Sequence, residues 1–244
     1  MTYGKKVALA AALVLAVGSL WLGGCSSKSN ATTTDPDVTA LLASNEEFVA
    51  GNLTNLTSNS KVSNAALLDQ NGQKPKTIIL SCSDSRVPPE ILLNKALGEI
   101  FVIRVAGNVV DKNQLGSIEY AISKNWNAKT VLMVLGHTKC GAVHSTADEY
   151  KKDSAVVFDP NENIGSILAQ IKPAVHTAAT TLTPFKNYTS LDHLVEAAVD
   201  INITNMADAL KSKSTIITNA ITSGKVVLVK AKYELGTGKI ELMP

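Results

Sequence analysis

The chain has 244 residues, of which 45% are hydrophobic and 18% are charged, and it contains three cysteines. This length is enough for a sizeable apolar core in one large or two small domains, and the composition excludes intrinsic disorder. Three cysteines cannot build a disulfide framework, because at least one of them stays unpaired. Aromatic residues make up only 5% of the chain, too few for the stacking platforms that bind single-stranded nucleic acid.

The first 24 residues are predicted to be a lipoprotein signal peptide. Lys5 and Lys6 precede the apolar stretch VALAAALVLAVGSLWLGG, which ends at Cys25. A basic start, a short apolar run and small residues at its end are typical of secretory signals. Leu22–Cys25 resembles a bacterial lipobox, so we expect Cys25 to carry a lipid that anchors an exported protein to a membrane, facing the periplasm or the cell exterior. An ordinary secretory signal and an uncleaved anchor are the alternatives.

Removing the signal changes the charge of the protein. Residues 1–24 contain two lysines and no acidic residue, so 21 basic and 21 acidic residues remain and the formal charge of +2 falls to zero. Nucleic-acid binding needs a basic surface, and we expect no nucleic-acid partner.

Residues 25–36 are small and polar, which predicts a flexible tether, and residues 37–244 are expected to form one domain. The N-x-[ST] matches are interpreted as surface polar residues; they lie at Asn52, Asn55, Asn187 and Asn202.

The predicted elements begin with a helix whose apolar residues lie between Val38 and Val49. Four aliphatic or β-branched runs then predict buried strands: Thr77–Ser81, Ile100–Val105, Thr130–Leu135 and Val226–Ala231. Helical spacing predicts helices over Leu115–Trp126, Ile164–Val175 and Leu191–Leu210. Glycines around Thr237 predict a hairpin that pairs the last run with Lys239–Leu242. The alternation of strands and helices predicts an α/β fold with a central, mostly parallel sheet flanked by helices.

Chemically unusual residues follow two of the predicted strands. Cys82, Asp84 and Arg86 follow the first run, and His137 and Cys140 follow the third. Ligands of open α/β sheets bind at the carboxyl ends of the strands, so these two segments can face one another. Two thiolates and an imidazole suit zinc, with a fourth position left open. The spacing alone, however, is equally compatible with buried core cysteines and a buried histidine.

The residues of these segments carry a family resemblance. CSDSR at 82–86 followed by VPPE at 87–90, together with GHTKCG at 136–141, closely resembles the β-class carbonic anhydrases. The likeness includes LASNEEFVAGN at 42–52, GEIFVIRVAGN at 98–108 and SIEYA at 117–121. It covers most of residues 40–150 and is weaker afterwards, apart from Tyr233 and residues 236–239. On these motifs the chain is identified as a member of that family.

The resemblance implies a zinc enzyme in which Cys82, His137 and Cys140 are the metal ligands. Asp84 either takes the fourth zinc position or pairs with Arg86 and admits water. The implied reaction is the reversible hydration of CO2 to bicarbonate and a proton by zinc-bound hydroxide, since zinc lowers the pKa of bound water to about 7. The family also implies a homodimer or homotetramer.

The chain departs from the family at two places. Val105 stands where an asparagine is common. Some members have a regulatory bicarbonate pocket made of a tryptophan, an arginine and a tyrosine. Arg104 and Tyr233 correspond to two of these residues, but Ile79 replaces the tryptophan and has no indole N–H, so we expect the pocket to be incomplete.

The remaining histidines are assigned from their positions. His144 lies four residues past Cys140 on a predicted helix and is a candidate proton shuttle, because the pKa of histidine suits neutral pH. His176 and His193 lie in the helical third of the chain and are expected to face solvent or fill a polar gap.

Two other functions are considered. The first is hydrolysis of a CO2 analogue such as carbonyl sulfide or carbon disulfide, which relatives with the same zinc motif perform and which the sequence does not separate from CO2 hydration. The second is a noncatalytic, zinc-stabilised binding module. It predicts a closed site with four ligands and no need for Arg86, so the presence of both Asp84 and Arg86 argues against it.

Overall fold

The computed structural model describes residues 35–181 and 190–244. The predicted signal peptide, Cys25 and the tether as far as residue 34 lie outside the described residues. In the described ranges, no helix combines the length and the apolar character needed to cross a membrane.

A five-stranded sheet lies at the centre of the described fold, in the order β2-β1-β3-β4-β5. The strands are β1 (Thr77–Ser81), β2 (Ile100–Arg104), β3 (Thr130–His137), β4 (Val226–Tyr233) and β5 (Ile240–Met243). β1 pairs in parallel with β2 and β3, β3 pairs in parallel with β4, and β5 runs antiparallel to β4. The predicted α/β class with a mostly parallel sheet is therefore confirmed.

Helices cover both faces of this sheet. They are α1 (Pro36–Val49), α2 (Thr54–Asn59), α3 (Val62–Asn71), α4 (Pro89–Leu92), α5 (Lys112–Ser123), α6 (Gly141–Lys152), α7 (Asn163–Thr181), α8 (Leu191–Lys213) and α9 (Thr215–Thr222). Ile78 and Leu132 pack into a core with helices α5 to α9, whereas their neighbours Ile79 and Met133 pack towards α1 and α4. Burial on both faces explains why these strands appear in the sequence as continuous apolar runs.

The predicted boundaries differ from the observed ones mainly at the carboxyl ends of strands. β3 continues past Leu135 to His137, and β4 continues to Tyr233, because these two residues pair with each other. β2 stops at Arg104, since Val105 leads into a short 3-10 turn over Ala106–Asn108. The predicted helix over Leu115–Trp126 begins earlier, at Lys112, because the side chain of Asp111 caps it.

The buried side chain of Asn45 ties α1 to three other parts of the fold. Its Nδ2 donates hydrogen bonds to the Leu92 carbonyl at 2.9 Å and to the Gly238 carbonyl at 3.0 Å. Its Oδ1 accepts from the Ile240 N–H at 2.8 Å. One amide therefore joins α1, the end of α4 and the turn between β4 and β5.

We predict that Asn45→Ala lowers the free energy of unfolding by about 1–3 kcal/mol, because it leaves buried backbone groups without partners. The measurement is equilibrium urea unfolding. The control is Glu46→Ala on the exposed side of α1, where a change within about 0.5 kcal/mol is expected. Equal unfolding midpoints for the two variants would contradict the bridging role of Asn45.

Candidate metal centre

The three predicted metal ligands converge at the carboxyl end of the sheet. β1 and β3 are parallel neighbours with Ser81 opposite Leu135, so Cys82 leaves β1 next to the end of β3. His137 is the last residue of β3, and Cys140 occupies the N-cap position of α6. The ligand atoms of Cys82, His137 and Cys140 all lie within 4.8 Å of one another, and all three residues are buried. In the described part of the chain, they form the one such cluster.

The imidazole of His137 is oriented for a cation. Its Nδ1 lies 2.9 Å from the Thr138 carbonyl oxygen, so Nδ1 carries the proton and Nε2 presents its lone pair. Nε2 is buried and has no hydrogen-bond partner among the described residues. A buried acceptor without a partner is unfavourable, and a metal ion placed between the two sulfurs and Nε2 removes that penalty. The donor set therefore fits zinc.

The two sulfur atoms interact with each other. A hydrogen bond from Cys140 holds the pKa of the Cys82 thiol well below its usual range. As the donor of that bond, and because of burial, the Cys140 thiol has a raised pKa. The N–H of Gly107 also donates to the Cys82 sulfur, at 3.3 Å. A pair in which one buried thiol deprotonates easily favours binding of a cation.

Asp84 and Arg86 are joined at the mouth of the centre. Arg86 donates from Nε to Asp84 Oδ1 at 2.9 Å and from Nη2 to Oδ2 at 2.7 Å. These hydrogen bonds hold the pKa of Asp84 well below its usual range. Asp84 Oδ2 lies 3.9 Å from His137 Nε2. Of the two arrangements expected from the sequence, the structure shows the carboxylate paired with the guanidinium.

Arg104 holds the segment that carries Cys82 and Asp84. From the end of β2, its Nε donates to the Cys82 carbonyl at 2.9 Å and its Nη2 donates to the Asp84 carbonyl at 2.6 Å. The sequence linked Arg104 only to a regulatory pocket, so this role was missed. The feature that could have indicated this role is the position of Arg104 at the end of a strand adjacent to β1. The incomplete pocket, argued from Ile79, stays a prediction.

A second anchor holds the segment between His137 and Cys140. Lys139 has a left-handed backbone, with φ of 54°. Its N–H donates to Glu196 Oε1 at 2.8 Å, and its carbonyl accepts from Arg86 Nη2 at 3.4 Å. Sequence reasoning missed Glu196, because α8 lies far along the chain and no motif marks it.

The other histidines stand apart from the ligand cluster. His144 is exposed on α6 and, with His193, lines a cavity of about 790 Å³ beside Lys139. Its role as a proton shuttle stays a prediction. His176 is exposed, and its Nδ1 lies 2.8 Å from the hydroxyl of Tyr150, which agrees with the expectation that this histidine faces solvent or fills a polar gap.

The chain matches known carbonic anhydrases over most of its length. The family model described as carbonic anhydrase matches residues 77–240. A carbonic anhydrase of Mycolicibacterium smegmatis is 30% identical over 203 residues, covering 83% of this chain and 90% of that protein. Carbonic anhydrase 2 of Mycobacterium tuberculosis is 32% identical over 203 residues, covering 83% of this chain and 89% of that protein.

Solved structures share the fold. A tetrameric β-carbonic anhydrase of Sordaria macrospora superimposes with a TM-score of 0.61 at 20% identity, covering 86% of this chain and 98% of that one. A β-carbonic anhydrase of Coccomyxa gives a TM-score of 0.58 at 24% identity, covering 86% and 87%. The chain belongs to the β-class carbonic anhydrase family, as its motifs predicted.

The turn that carries Gly107 gives a testable prediction. Gly107 has φ of 66°, and an added Cβ would lie 2.6 Å from Ile171 Cδ1 and 3.3 Å from Ala142 Cβ. Left-handed strain and overpacking together predict that Gly107→Ala lowers the free energy of unfolding by about 2–4 kcal/mol.

In the matched control, the expected change in the free energy of unfolding has the opposite sign. Gly116 lies on the exposed side of α5 with nothing within 4 Å of an added Cβ, so Gly116→Ala should stabilise by about 0.5–1 kcal/mol. Urea unfolding of both variants measures the difference. A Gly107→Ala protein as stable as the wild type would show that this turn is not confined as described.

Proposed function

We propose that this β-class carbonic anhydrase catalyses the reversible hydration of CO2 to bicarbonate and a proton, with one zinc ion held by Cys82, His137 and Cys140. The observation that carries the proposal is the convergence of the three ligand atoms within 4.8 Å beside the Asp84–Arg86 pair. The names of the similar mycobacterial proteins support the same reaction.

The reaction divides between the metal and the side chains around it. When bound, zinc lowers the pKa of a coordinated water to about 7 and so supplies hydroxide at neutral pH. Cys82, His137 and Cys140 would hold the ion and would leave room for that water. The Thr138 carbonyl fixes the His137 ring so that Nε2 would be turned towards a bound ion.

Asp84 orients the nucleophile. Arg86 lowers the pKa of Asp84, so the carboxylate stays ionised at neutral pH and can only accept hydrogen bonds. Its Oδ2, 3.9 Å from His137 Nε2, is placed to accept the O–H of the attacking group and turn its lone pair towards CO2. Arg86 fixes the orientation of the carboxylate through its two parallel hydrogen bonds.

We predict that Asp84→Asn retains bound zinc but lowers kcat for CO2 hydration by about 100-fold or more, because the amide can donate where the carboxylate must accept. Stopped-flow hydration and metal analysis on the same preparations measure both quantities. Arg86→Ala should behave similarly, and Glu90→Gln, an exposed change on α4, should leave turnover intact.

Wild-type turnover in Asp84→Asn would exclude the proposed role of the carboxylate. A zinc-loaded wild-type protein that hydrolyses carbonyl sulfide or carbon disulfide, but leaves CO2 hydration at the uncatalysed rate, would favour the analogue hydrolase instead.

We also propose that the enzyme is exported and anchored by a lipid on Cys25. The basic start of residues 1–24, the apolar run and the lipobox-like Leu22–Cys25 support this location. CO2 crosses bilayers and bicarbonate does not, so an enzyme at the membrane face converts the diffusible species into the retained one.

The prediction for the anchor is that the wild-type protein, expressed in a bacterial host fed a labelled fatty acid, incorporates the label and fractionates with membranes. Cys25→Ser should incorporate none. Cys82→Ser is the matched cysteine control and should be labelled like the wild type. An unlabelled wild-type protein would contradict the anchor and leave the catalytic proposal standing.

A homodimer or homotetramer is proposed from the surface of the single chain. α2 and α3 have no buried residue, and Val62 and Leu67 of α3 are 87% and 59% exposed. Exposed apolar residues on a helix that buries none of its own residues support an association surface. The Sordaria macrospora relative is described as tetrameric.

A further inference from the structure

The side chain of Asn202, in the middle of α8, is 1% exposed. Its N-x-[ST] match was interpreted from the sequence as a surface feature, and that interpretation is wrong. Val199, Ile203 and Met206, its neighbours on the same helix, are buried apolar residues. An asparagine in such a place is unfavourable unless its polar atoms are hydrogen-bonded.

The hydrogen bond made by Asn202 leads to the metal centre. Its Nδ2 donates to the Gly107 carbonyl at 2.9 Å. The N–H of the same glycine donates to the Cys82 sulfur at 3.3 Å. One residue, Gly107, therefore connects the α8 amide to the sulfur of a metal ligand. Within the described residues, Asn202 Oδ1 has no hydrogen-bond partner. The side chain therefore supplies a hydrogen bond to the Gly107 carbonyl, while its own oxygen stays unpaired.

The Gly107 turn needs an external support. It is a three-residue 3-10 turn in which Gly107 and Asn108 both have positive φ angles, 66° and 45°. No helical ladder fixes such a backbone. Ile171 and Ala142 occupy the space that a Cβ of residue 107 would need, and Asn202 holds the Gly107 carbonyl. Fixing the carbonyl restricts the rotation of the residue and so limits where its N–H can point.

We propose that Asn202 is a positioning residue for the metal centre: it fixes Gly107 so that the backbone N–H stays on the Cys82 sulfur and holds this ligand in place for zinc. This inference rests on the proposed zinc site. Removal of a group that hydrogen-bonds to a metal ligand and orients it typically weakens metal affinity by about 10–100-fold.

The test measures metal binding by the purified full-length protein. Asn202→Leu keeps the number and branching of the side-chain heavy atoms and removes the donor. We expect its dissociation constant for zinc, measured by competition with a chromophoric chelator, to rise by about 10-fold or more. With Co2+ in place of zinc, the thiolate-to-metal absorption band should move to longer wavelength, because a thiolate that has lost its N–H donor gives up an electron more easily. Asn202→Ala repeats the test if the leucine does not fit.

Leu210→Ala is the matched control on the same helix. Leu210 is fully buried but lies two turns beyond Asn202, so its truncation should destabilise the protein by about 2–5 kcal/mol without touching Gly107. Its zinc affinity and its Co2+ band should equal those of the wild type. If the role of Asn202 were purely structural, the loss of zinc affinity in the Asn202 and Leu210 variants would follow their loss of folding stability.

Two results would overturn the inference and can be told apart. If the wild type binds zinc and Co2+ while both Asn202 variants keep its affinity and its absorption band, Asn202 has no positioning role and the proposed enzyme stands. If the wild type binds neither metal, and Cys82→Ser behaves identically, the metal site itself is wrong and the role of Asn202 is excluded with it.

Discussion

The parallel pairing of β1 with β3 is the constraint on which the site depends. Because the two strands are neighbours and point the same way, the segment after Ser81 and the segment ending at His137 emerge together at one edge of the sheet. A slip of one residue in either strand would turn its alternating side chains to the opposite face. Ile78 and Leu132 pack on one face and Ile79 and Met133 on the other, so the core holds both strands in place from both sides. The core therefore determines the distance between the ligands.

Polar contacts then fix what the core brings together. Arg104 holds the carbonyls of Cys82 and Asp84, Glu196 holds the N–H of Lys139, and Asn202 holds Gly107. Two of these three residues lie on α8, a helix that supplies no predicted metal ligand. The ligand segments are irregular and contain left-handed residues, so their backbone groups need partners from outside. The same helix that packs on the sheet thus also shapes the metal centre.

Much of this arrangement could be predicted from the sequence, and the reason is local chemistry. The continuous apolar runs marked the four parallel strands. Five unusual residues next to strand ends stood out, and the family resemblance then identified them as a metal site: Cys82, Asp84, Arg86, His137 and Cys140. The supporting residues carry no such signal. Asn202 matched a surface pattern, Glu196 is an ordinary acidic residue of a helix, and Gly107 becomes significant only when α6, α7 and α8 enclose it. Contacts between residues so far apart in the chain are set by packing, which a single sequence does not display.

The coordination shell of the bound metal tests the central claim most directly. X-ray absorption at the zinc edge of the purified protein should show two sulfur ligands at about 2.3 Å and one imidazole nitrogen at about 2.0 Å, with one further light atom. Metal analysis should give close to one zinc per chain, and Cys82→Ser should lose it. A shell of oxygen and nitrogen alone, or a wild-type protein that takes up no zinc, would contradict the account, because it would mean that Cys82, His137 and Cys140 do not act as one metal site.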